Sequence, residues 1–169
     1  MESRIEVWQR GPITGVPGLL QPIAHALLEV GEQAHGIMEG FPEELLWERP
    51  AGVASPAFHL KHIRGVIDRL FTYARKGLLS AEQMQLLSLE TKKEEVAPTA
   101  SQLLDLLDKQ ITAAVDELKT VKAETLTEAR GIGRRQVPTT LIGLYTHSAE
   151  HSMRHIGQLL VTTRILKGS

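Results

Sequence analysis

Residues 138–166, PTTLIGLYTHSAEHSMRHIGQLLVTTRIL, carry the apolar repeat that decides the class of fold. On a helical wheel the large apolar side chains share one arc and the charged residues lie opposite, as in a helix at the edge of a core. The apolar arc contains Leu141, Leu144, Tyr145, Ile156, Leu159 and Leu166, and the opposite side contains Glu150, Arg154 and Gly157. The segment therefore predicts one long α-helix that buries a single face.

Two segments nearer the N-terminus repeat the same spacing. Residues 18–39 predict a first helix, which follows a stretch rich in glycine and proline that predicts a non-helical arm over residues 1–17. A second helix is predicted over residues 56–76. Ser55 stands at its N-cap with a proline directly after it, and Gly77 is the expected stop.

A third helix is predicted from its capping signal. Thr99 and Gln102 form a capping-box pattern ahead of leucines at helical spacing. Residues 80–97 are charged and weakly patterned and predict either a short helix or a loop, while residues 126–138 predict a turn-rich connection without a strand. Together the segments predict an all-α fold, a four-helix bundle that occupies the chain from residue 1 to 169 as one domain.

The composition excludes several classes of function. The formal net charge is −1 and no run of Lys or Arg occurs, so nucleic acid is not expected as a partner. The chain contains no cysteine, which excludes disulfides, thiolate ligands and a cysteine nucleophile. No apolar run approaches the ~20 residues that span a membrane, and no signal core is present, so a cytoplasmic protein without a membrane partner is expected.

The final helix carries three of the seven histidines, His147, His151 and His155, at intervals of four residues. Residues four apart on a helix lie about 40° round and about 6 Å along its axis, so neighbouring members can share one ion. The outer two, about 12 Å apart, cannot both bind an ion whose bonds to nitrogen measure about 2.1 Å. His151 and His155 lie nearer the apolar arc than His147, which favours them as the core-facing ligands.

Two helical histidines leave a metal site short of ligands, so a third ligand is expected from another helix. The second predicted helix offers His59 and His62, both on its apolar side, and periodicity does not decide between them. His25 and His35 of the first helix are alternatives, but each is single and unpaired. The pattern predicts a metal site between the second and last helices of the bundle.

The same histidines allow two other interpretations. Histidines on apolar faces are commonly core residues with satisfied hydrogen bonds, and the row would then be a pH-sensitive polar seam or a dimer contact. The letters HSAEH also match the H-x-x-E-H signature of inverted zincins, with His147 and His151 as ligands and Glu150 as general base. An inverted zincin additionally requires a distant acidic ligand and a peptide-binding cleft, which a small bundle does not obviously supply.

Two longer stretches, SPAFHLKHIRGVIDRLFTYA at 55–74 and VPTTLIGLYTHSAEHSMRHIGQLL at 137–160, together resemble the DinB-like family of mostly bacterial four-helix-bundle proteins. The resemblance covers nearly the whole chain and includes LLWERPAGVAS at 45–55. In that family a divalent metal, often nickel or zinc, is held by one histidine early in helix two and by an H-x-x-x-H pair in the last helix.

Carried over by position, the resemblance assigns the metal to His62, His151 and His155. It leaves His59 and His147 as neighbours that orient the ligands or line the pocket. Residue 154 is a departure, because many relatives have a further histidine where this chain has arginine.

The resemblance also implies an activity, because several relatives look like transferases of low-molecular-weight thiols such as bacillithiol or mycothiol. Three imidazoles leave positions on a nickel, zinc, iron or manganese ion open for water or substrate. An external thiol is therefore expected to attack an electrophilic small molecule. A hydrolase acting through bound hydroxide would use the same ligands, and a non-catalytic bundle that binds a metal or small ligand and forms a homodimer is a third alternative. Asp68 and Arg69 are expected to be solvated or structural charges.

Overall fold

Four long helices dominate the computed structural model, which describes residues 5–168, and they confirm the predicted all-α bundle. The elements are, in chain order, α1 (Gln21–Met38), α2 (Pro56–Ala74), α3 (Ala81–Leu89), α4 (Ala100–Thr120), β1 (Ala129–Ile132), β2 (Val137–Thr140) and α5 (Leu141–Lys167). The predicted N-terminal arm includes one turn of 3-10 helix at Val7–Arg10, and its first four residues lie outside the described part. Between residues 5 and 168, no helix has the length and apolar character that crossing a bilayer requires.

The helices pack around one aliphatic core. α5 packs against α1 and α2, and α4 packs against the same two helices. Each long helix contributes fully buried side chains, among them Leu27, Ile67, Leu107 and Leu159. Removing such apolar surface from water is the main stabilising contribution to a bundle of this size. Because α2 and α5 are direct neighbours, residues on their facing sides come together although almost ninety positions separate them in sequence.

The start of α2 agrees with the sequence, but its end does not. Ser55 Oγ accepts a hydrogen bond from the backbone N–H of Phe58 at 3.2 Å, which caps the helix as predicted. The helix ends at Ala74, and Lys76 rather than Gly77 takes the left-handed conformation, with φ of 63°. Gly77 has a different role, because a Cβ there would lie 3.1 Å from the backbone oxygen of Thr72.

The segments on either side of residue 98 both begin with capping boxes. Gln102 donates its backbone N–H to Thr99 Oγ1, and its side-chain oxygen accepts the N–H of Thr99, as the sequence predicts for α4. Ser80 and Gln83 repeat the arrangement at α3, so part of the ambiguous stretch 80–97 is a short helix. α3 buries none of its own residues and is held on α2 by polar contacts such as Gln83 Nε2 to Asp68 Oδ2 at 2.9 Å.

The connection before α5 is a β-hairpin, which corrects the predicted strand-free turn. Strand β1 pairs antiparallel with β2, with Gly131 opposite Pro138. Each strand has four residues, which is too short for an alternating pattern to stand out in the sequence. The predicted helix start at Pro138 is also wrong, because α5 begins at Leu141, where Thr140 Oγ1 accepts a hydrogen bond from the N–H of Gly143 at 3.1 Å.

The aliphatic core predicts a large cost for truncating a buried leucine. Leu107 of α4 is fully buried, so we expect Leu107→Ala to lower the free energy of unfolding by about 2–5 kcal/mol. Urea unfolding followed by far-UV circular dichroism measures this change. Leu19→Ala is the matched control, because Leu19 is 65% exposed and its truncation should cost less than about 0.5 kcal/mol. Equal effects of the two substitutions would contradict the packing described above.

Candidate metal centre

The facing sides of α2 and α5 bring four histidines into one cluster: His59, His62, His151 and His155. Three of these, His62, His151 and His155, each present a ring nitrogen within 4.8 Å of the other two. The Nε2 atoms of His62 and His151 are 3.0 Å apart, and the ring centroids of His62 and His155 are 4.4 Å apart. The geometry thus groups the three residues that the sequence and the family resemblance select, with His62 rather than His59 as the member from α2.

The separation of the nitrogens fits a divalent transition-metal ion. With bonds of about 2.1 Å, neighbouring ligand atoms on a tetrahedral or octahedral ion lie about 3.0–3.4 Å apart, and the Nε2 atoms of His62 and His151 fall within that range. Imidazole suits zinc, nickel and iron better than it suits manganese. Three histidines would also leave coordination positions open to water or substrate.

His62 is oriented by a carboxylate that sequence reasoning missed. Its Nδ1 lies 2.7 Å from Oε2 of Glu90, which follows directly after α3 and is 5% exposed. Glu90 Oε1 also accepts a hydrogen bond from Arg69 Nη1 at 2.5 Å, so Arg69 is a partly buried structural partner, as one of the two predicted roles for it allows. The carboxylate favours the proton on Nδ1 of His62, which leaves Nε2 as the nitrogen facing His151.

Gly65 makes room for this carboxylate. A Cβ at Gly65 would clash with Glu90 Oε1 and with Arg69 Nη1, so any larger residue would have to displace the ion pair. Phe58 supports His62 on another side, with stacked rings 5.1 Å apart. The His62 ring is therefore held by a carboxylate and by an aromatic face.

His59 belongs to the cluster, but it is not one of the three residues whose ring nitrogens converge. Its Nδ1 lies 3.0 Å from Nδ1 of His155, so one of the two atoms donates and the other accepts. This contact leaves Nε2 of His155 to face the remaining histidines. Burial, followed by the nearby His62, lowers the pKa of His59 to about 4, and burial followed by the neighbouring histidines lowers the pKa of His155 to about 4. Both rings are neutral at pH 7, as metal ligation or its support requires.

His151 has an unsatisfied nitrogen in the middle of the cluster. Burial, and then the nearby His62, lowers the pKa of His151, so its ring is also neutral at pH 7. Among the side chains of residues 5–168, its Nδ1 is a buried atom without a hydrogen-bond partner. Leaving a buried polar atom unpaired costs about 1–3 kcal/mol. Because Nε2 is the nitrogen that faces His62, Nδ1 would carry the N–H of a metal-bound His151, and no side chain or backbone group among the described residues accepts it.

The first histidine of the row on α5, His147, lies in a different environment. Its side chain is 51% exposed, and its Nδ1 lies 3.4 Å from Oε2 of Glu150, while Glu150 also pairs with Arg154. His147, Glu150 and His151 form a second group that could hold an ion, but this group is mostly exposed. The hydrogen bond from Arg154 lowers the pKa of Glu150, which makes this carboxylate a weaker base than the inverted-zincin interpretation requires.

The histidines of α1 lie in separate hydrogen bonds. His25 Nε2 is 3.0 Å from the backbone oxygen of Gly11, and His35 Nε2 is 2.8 Å from Oδ2 of Asp108 on α4. Neither joins the groups of convergent ligand atoms found among residues 5–168. The alternative ligand set from the first helix is therefore not supported by the geometry.

The fold and the site define a class of protein: a four-helix bundle in which three histidines of the cluster converge between α2 and α5. The chain belongs to the DinB superfamily, whose family model matches residues 26–159. The match begins within α1 and includes every histidine of the cluster, which confirms the resemblance inferred from the sequence motifs. A comparison with curated proteins finds no significant match.

The lowered pKa values predict how metal-free protein responds to acid. An unfolded histidine gains a proton below about pH 6.5, whereas His59 and His155 remain neutral in the folded state down to about pH 4. The unfolded state therefore binds more protons, and folding stability falls as the pH is lowered through this window. For His59, which is 3% exposed, we expect a loss of about 2 kcal/mol between pH 6.5 and 5.

Urea unfolding of chelator-treated protein at several pH values measures the loss, and NMR titration of the ring protons identifies the residues. His25 serves as the internal control, because it lies outside the cluster, in a hydrogen bond to the backbone oxygen of Gly11. Protonation of His59 near pH 6.5 in the folded protein would contradict the prediction.

The crowding at Gly65 predicts that a single methyl group disturbs His62. We expect Gly65→Ala to displace Glu90 and to be less stable than Gly36→Ala by about 1–3 kcal/mol, because both changes gain helix propensity but only at Gly65 does a Cβ overlap the ion pair. Long-range proton–nitrogen NMR should show the His62 ring losing its preference for the Nδ1–H tautomer. Gly36→Ala on α1 is the control, since a Cβ there meets no atom within 4 Å. Unchanged His62 signals in Gly65→Ala would show that Glu90 does not set the tautomer.

Proposed function

We propose that His62, His151 and His155 hold a divalent metal ion and that the protein transfers a low-molecular-weight thiol to an electrophilic small molecule. The observation that carries the metal site is the convergence of three ring nitrogens within 4.8 Å, two of them 3.0 Å apart. Nickel, zinc and iron suit this set best, with manganese as a further candidate. The lowered pKa values of His151 and His155 support ligation at neutral pH.

A bound divalent ion would supply a Lewis acid that lowers the pKa of a thiol or water in its open position. The chain itself contributes the orientation of the three imidazoles, through Glu90 on His62 and His59 on His155. In the reaction a thiolate sulfur forms a bond to the electrophilic carbon, and the leaving group departs with its bonding electron pair. The thiol proton goes to solvent, and no oxidant or reductant is needed.

The thiol must come from outside, because the chain has no cysteine. The same absence means that no protein thiolate competes for the ion. The family resemblance is the support for a thiol as nucleophile, while the geometry is equally compatible with water. Hydrolysis is therefore the second candidate, and binding of a metal or small ligand without turnover is the third.

Elemental mass spectrometry of untagged protein tests the metal site. We expect near-stoichiometric metal in the wild type and loss of at least about tenfold in affinity in His62→Ala, His151→Ala and His155→Ala, because each removes one of three ligands. His147→Ala is the control and should retain the metal, since its exposed side chain lies outside the convergent set. Wild-type protein that binds no metal after incubation with nickel, zinc, iron or manganese would overturn the proposal.

The nucleophile is identified in a separate experiment. Metal-loaded protein is incubated with an aryl halide and glutathione, bacillithiol or mycothiol in water enriched in ¹⁸O, and the products are analysed by mass spectrometry. A thioether product that requires His62 supports thiol transfer, whereas ¹⁸O in the product supports hydrolysis. Tight metal binding without either product would favour the non-catalytic bundle.

A further inference from the structure

A cavity of about 620 Å³ lies beside the histidine cluster, between the C-terminal half of α5 and the loop that precedes α2. His59 and Thr162 are the buried residues in its lining and form its floor. Nδ1 of His59 lies 3.0 Å from Nδ1 of His155, so the side chain of His59 lies between the cavity and the candidate metal centre. The cavity is therefore placed to hold a molecule next to the centre.

The polarity of the cavity changes along α5. Arg154 and Gln158 line it close to His155, whereas Val161 and Ile165 line it further along the helix. At about 1.5 Å per residue, the distance from Arg154 to Ile165 is about 16 Å. The cavity thus has a polar end at the histidine cluster and an apolar end toward the C-terminus of α5.

The apolar end is lined by side chains that are unusually exposed for their type. Val161 is 57% exposed, Ile165 is 59% exposed, and Val53 on the loop before α2 is 49% exposed. Isolated exposed aliphatic residues are common, but three around one concave surface indicate a site for an apolar group. Gly157 widens the same surface, because a Cβ there would meet no atom within 4 Å.

We propose that this cavity binds an amphipathic small molecule, with an anionic head beside Arg154 and His59 and an apolar body along Val161 and Ile165. The link to catalysis rests on the proposed function, since the head of the ligand would be the part nearest the metal centre. Binding itself requires no metal. The substrate class is then an anionic, largely apolar electrophile rather than a uniformly polar metabolite.

The size and charge of the cavity favour a small molecule of this kind. Its volume lies within the roughly 300–1,000 Å³ typical of ligand pockets. The Arg154 guanidinium hydrogen-bonds Glu150 through Nη2, and a guanidinium has five N–H donors, so donors remain for a second anion. Arg154 is the one Lys, Arg, Asp or Glu residue among those that line the cavity, so it selects the sign of the head.

Two other large cavities lack these features. A cavity of about 810 Å³ between α1 and α4 has acidic residues Glu39 and Asp108 in its lining, which would repel an anionic head. One of about 570 Å³ is lined by Trp8, His25 and Met153. Neither is lined by any of the four clustered histidines. The cavity at Gly157 is thus the one that combines an apolar wall, a cation and contact with the centre.

Two fluorescent probes that differ in one anionic group test the proposal on chelator-treated protein. 8-Anilinonaphthalene-1-sulfonate carries a sulfonate, and N-phenyl-1-naphthylamine is its uncharged analogue. We expect one site per chain for both probes. Arg154→Gln should lower the affinity for the sulfonate probe by about two- to fivefold, which is the contribution of an exposed charge pair, and leave the affinity for the uncharged probe unchanged.

Filling the cavity provides the sharper variant. Gly157→Leu should lower the affinity for both probes at least about tenfold, because the leucine side chain would occupy the open space in the cavity. Its melting temperature should be unchanged or higher, since leucine favours a helix more than glycine does. Gly36→Leu on α1 is the matched control, because a Cβ at Gly36 would also meet no atom within 4 Å. Gly36 lines a different cavity, the one between α1 and α4.

Three results would overturn the inference: no probe binding in the wild type, equal binding in Gly157→Leu, or loss of binding in Gly36→Leu. A dimer that light scattering detects in the wild type and that Gly157→Leu converts to a monomer would also overturn it, by showing that a second copy covers the cavity. Metal analysis of the same protein preparations before chelator treatment, after incubation with nickel, zinc, iron or manganese, keeps the two proposals apart. Probe binding without metal would sink the proposed function alone, and metal without probe binding would sink this inference alone.

Discussion

The contact between α2 and α5 is the interaction on which the site depends. Both helices bury apolar side chains in the common core, such as Ile67 of α2 and Leu159 of α5, and this burial stabilises the bundle without directional requirements. At the histidine cluster the contact becomes polar, and each buried ring nitrogen then requires a partner. The protein meets that requirement through the pair of Nδ1 atoms between His59 and His155 and through Glu90, and it leaves Nδ1 of His151 unpaired. A metal site in such a place uses the rigidity of the core to hold its ligands.

The sequence was sufficient for those features that depend on local spacing. Intervals of four residues placed His151 and His155 on one face of α5, and capping residues such as Ser55 and Thr99 marked where helices begin. The choice between His59 and His62 needed the relative rotation of two helices, because both residues lie on the apolar side of α2. Periodicity within one helix carries no information about that rotation, and the family resemblance supplied it instead.

Other features arise from contacts between distant segments and were not predictable from local pattern. Glu90 follows α3, a helix with no buried residue and therefore no apolar periodicity to mark it, and it meets His62 across 28 positions of sequence. The need for glycine at position 65 also depends on the fold, because the atoms that a Cβ there would meet belong to Glu90 and Arg69. The hairpin before α5 was missed for a different reason, because neither strand alternates apolar and polar residues: β1 is ARGI and β2 is VPTT.

The attachment of α3 has a consequence for how an ion would reach the cluster. α3 is fixed to α2 by hydrogen bonds and ion pairs, including Gln83 to Asp68 and Lys61 Nζ to the backbone oxygen of Leu89 at 2.7 Å. Such bonds to charged groups exchange for bonds to water at a net cost of about 1.5–3 kcal/mol each, whereas separating α2 from α5 would expose the aliphatic core. Local opening at α3 is thus less costly than separation of α2 from α5 as a way to uncover the Glu90 side of His62, and hydrogen exchange would be faster in α3 than in α2 and α5 while the bundle stays closed.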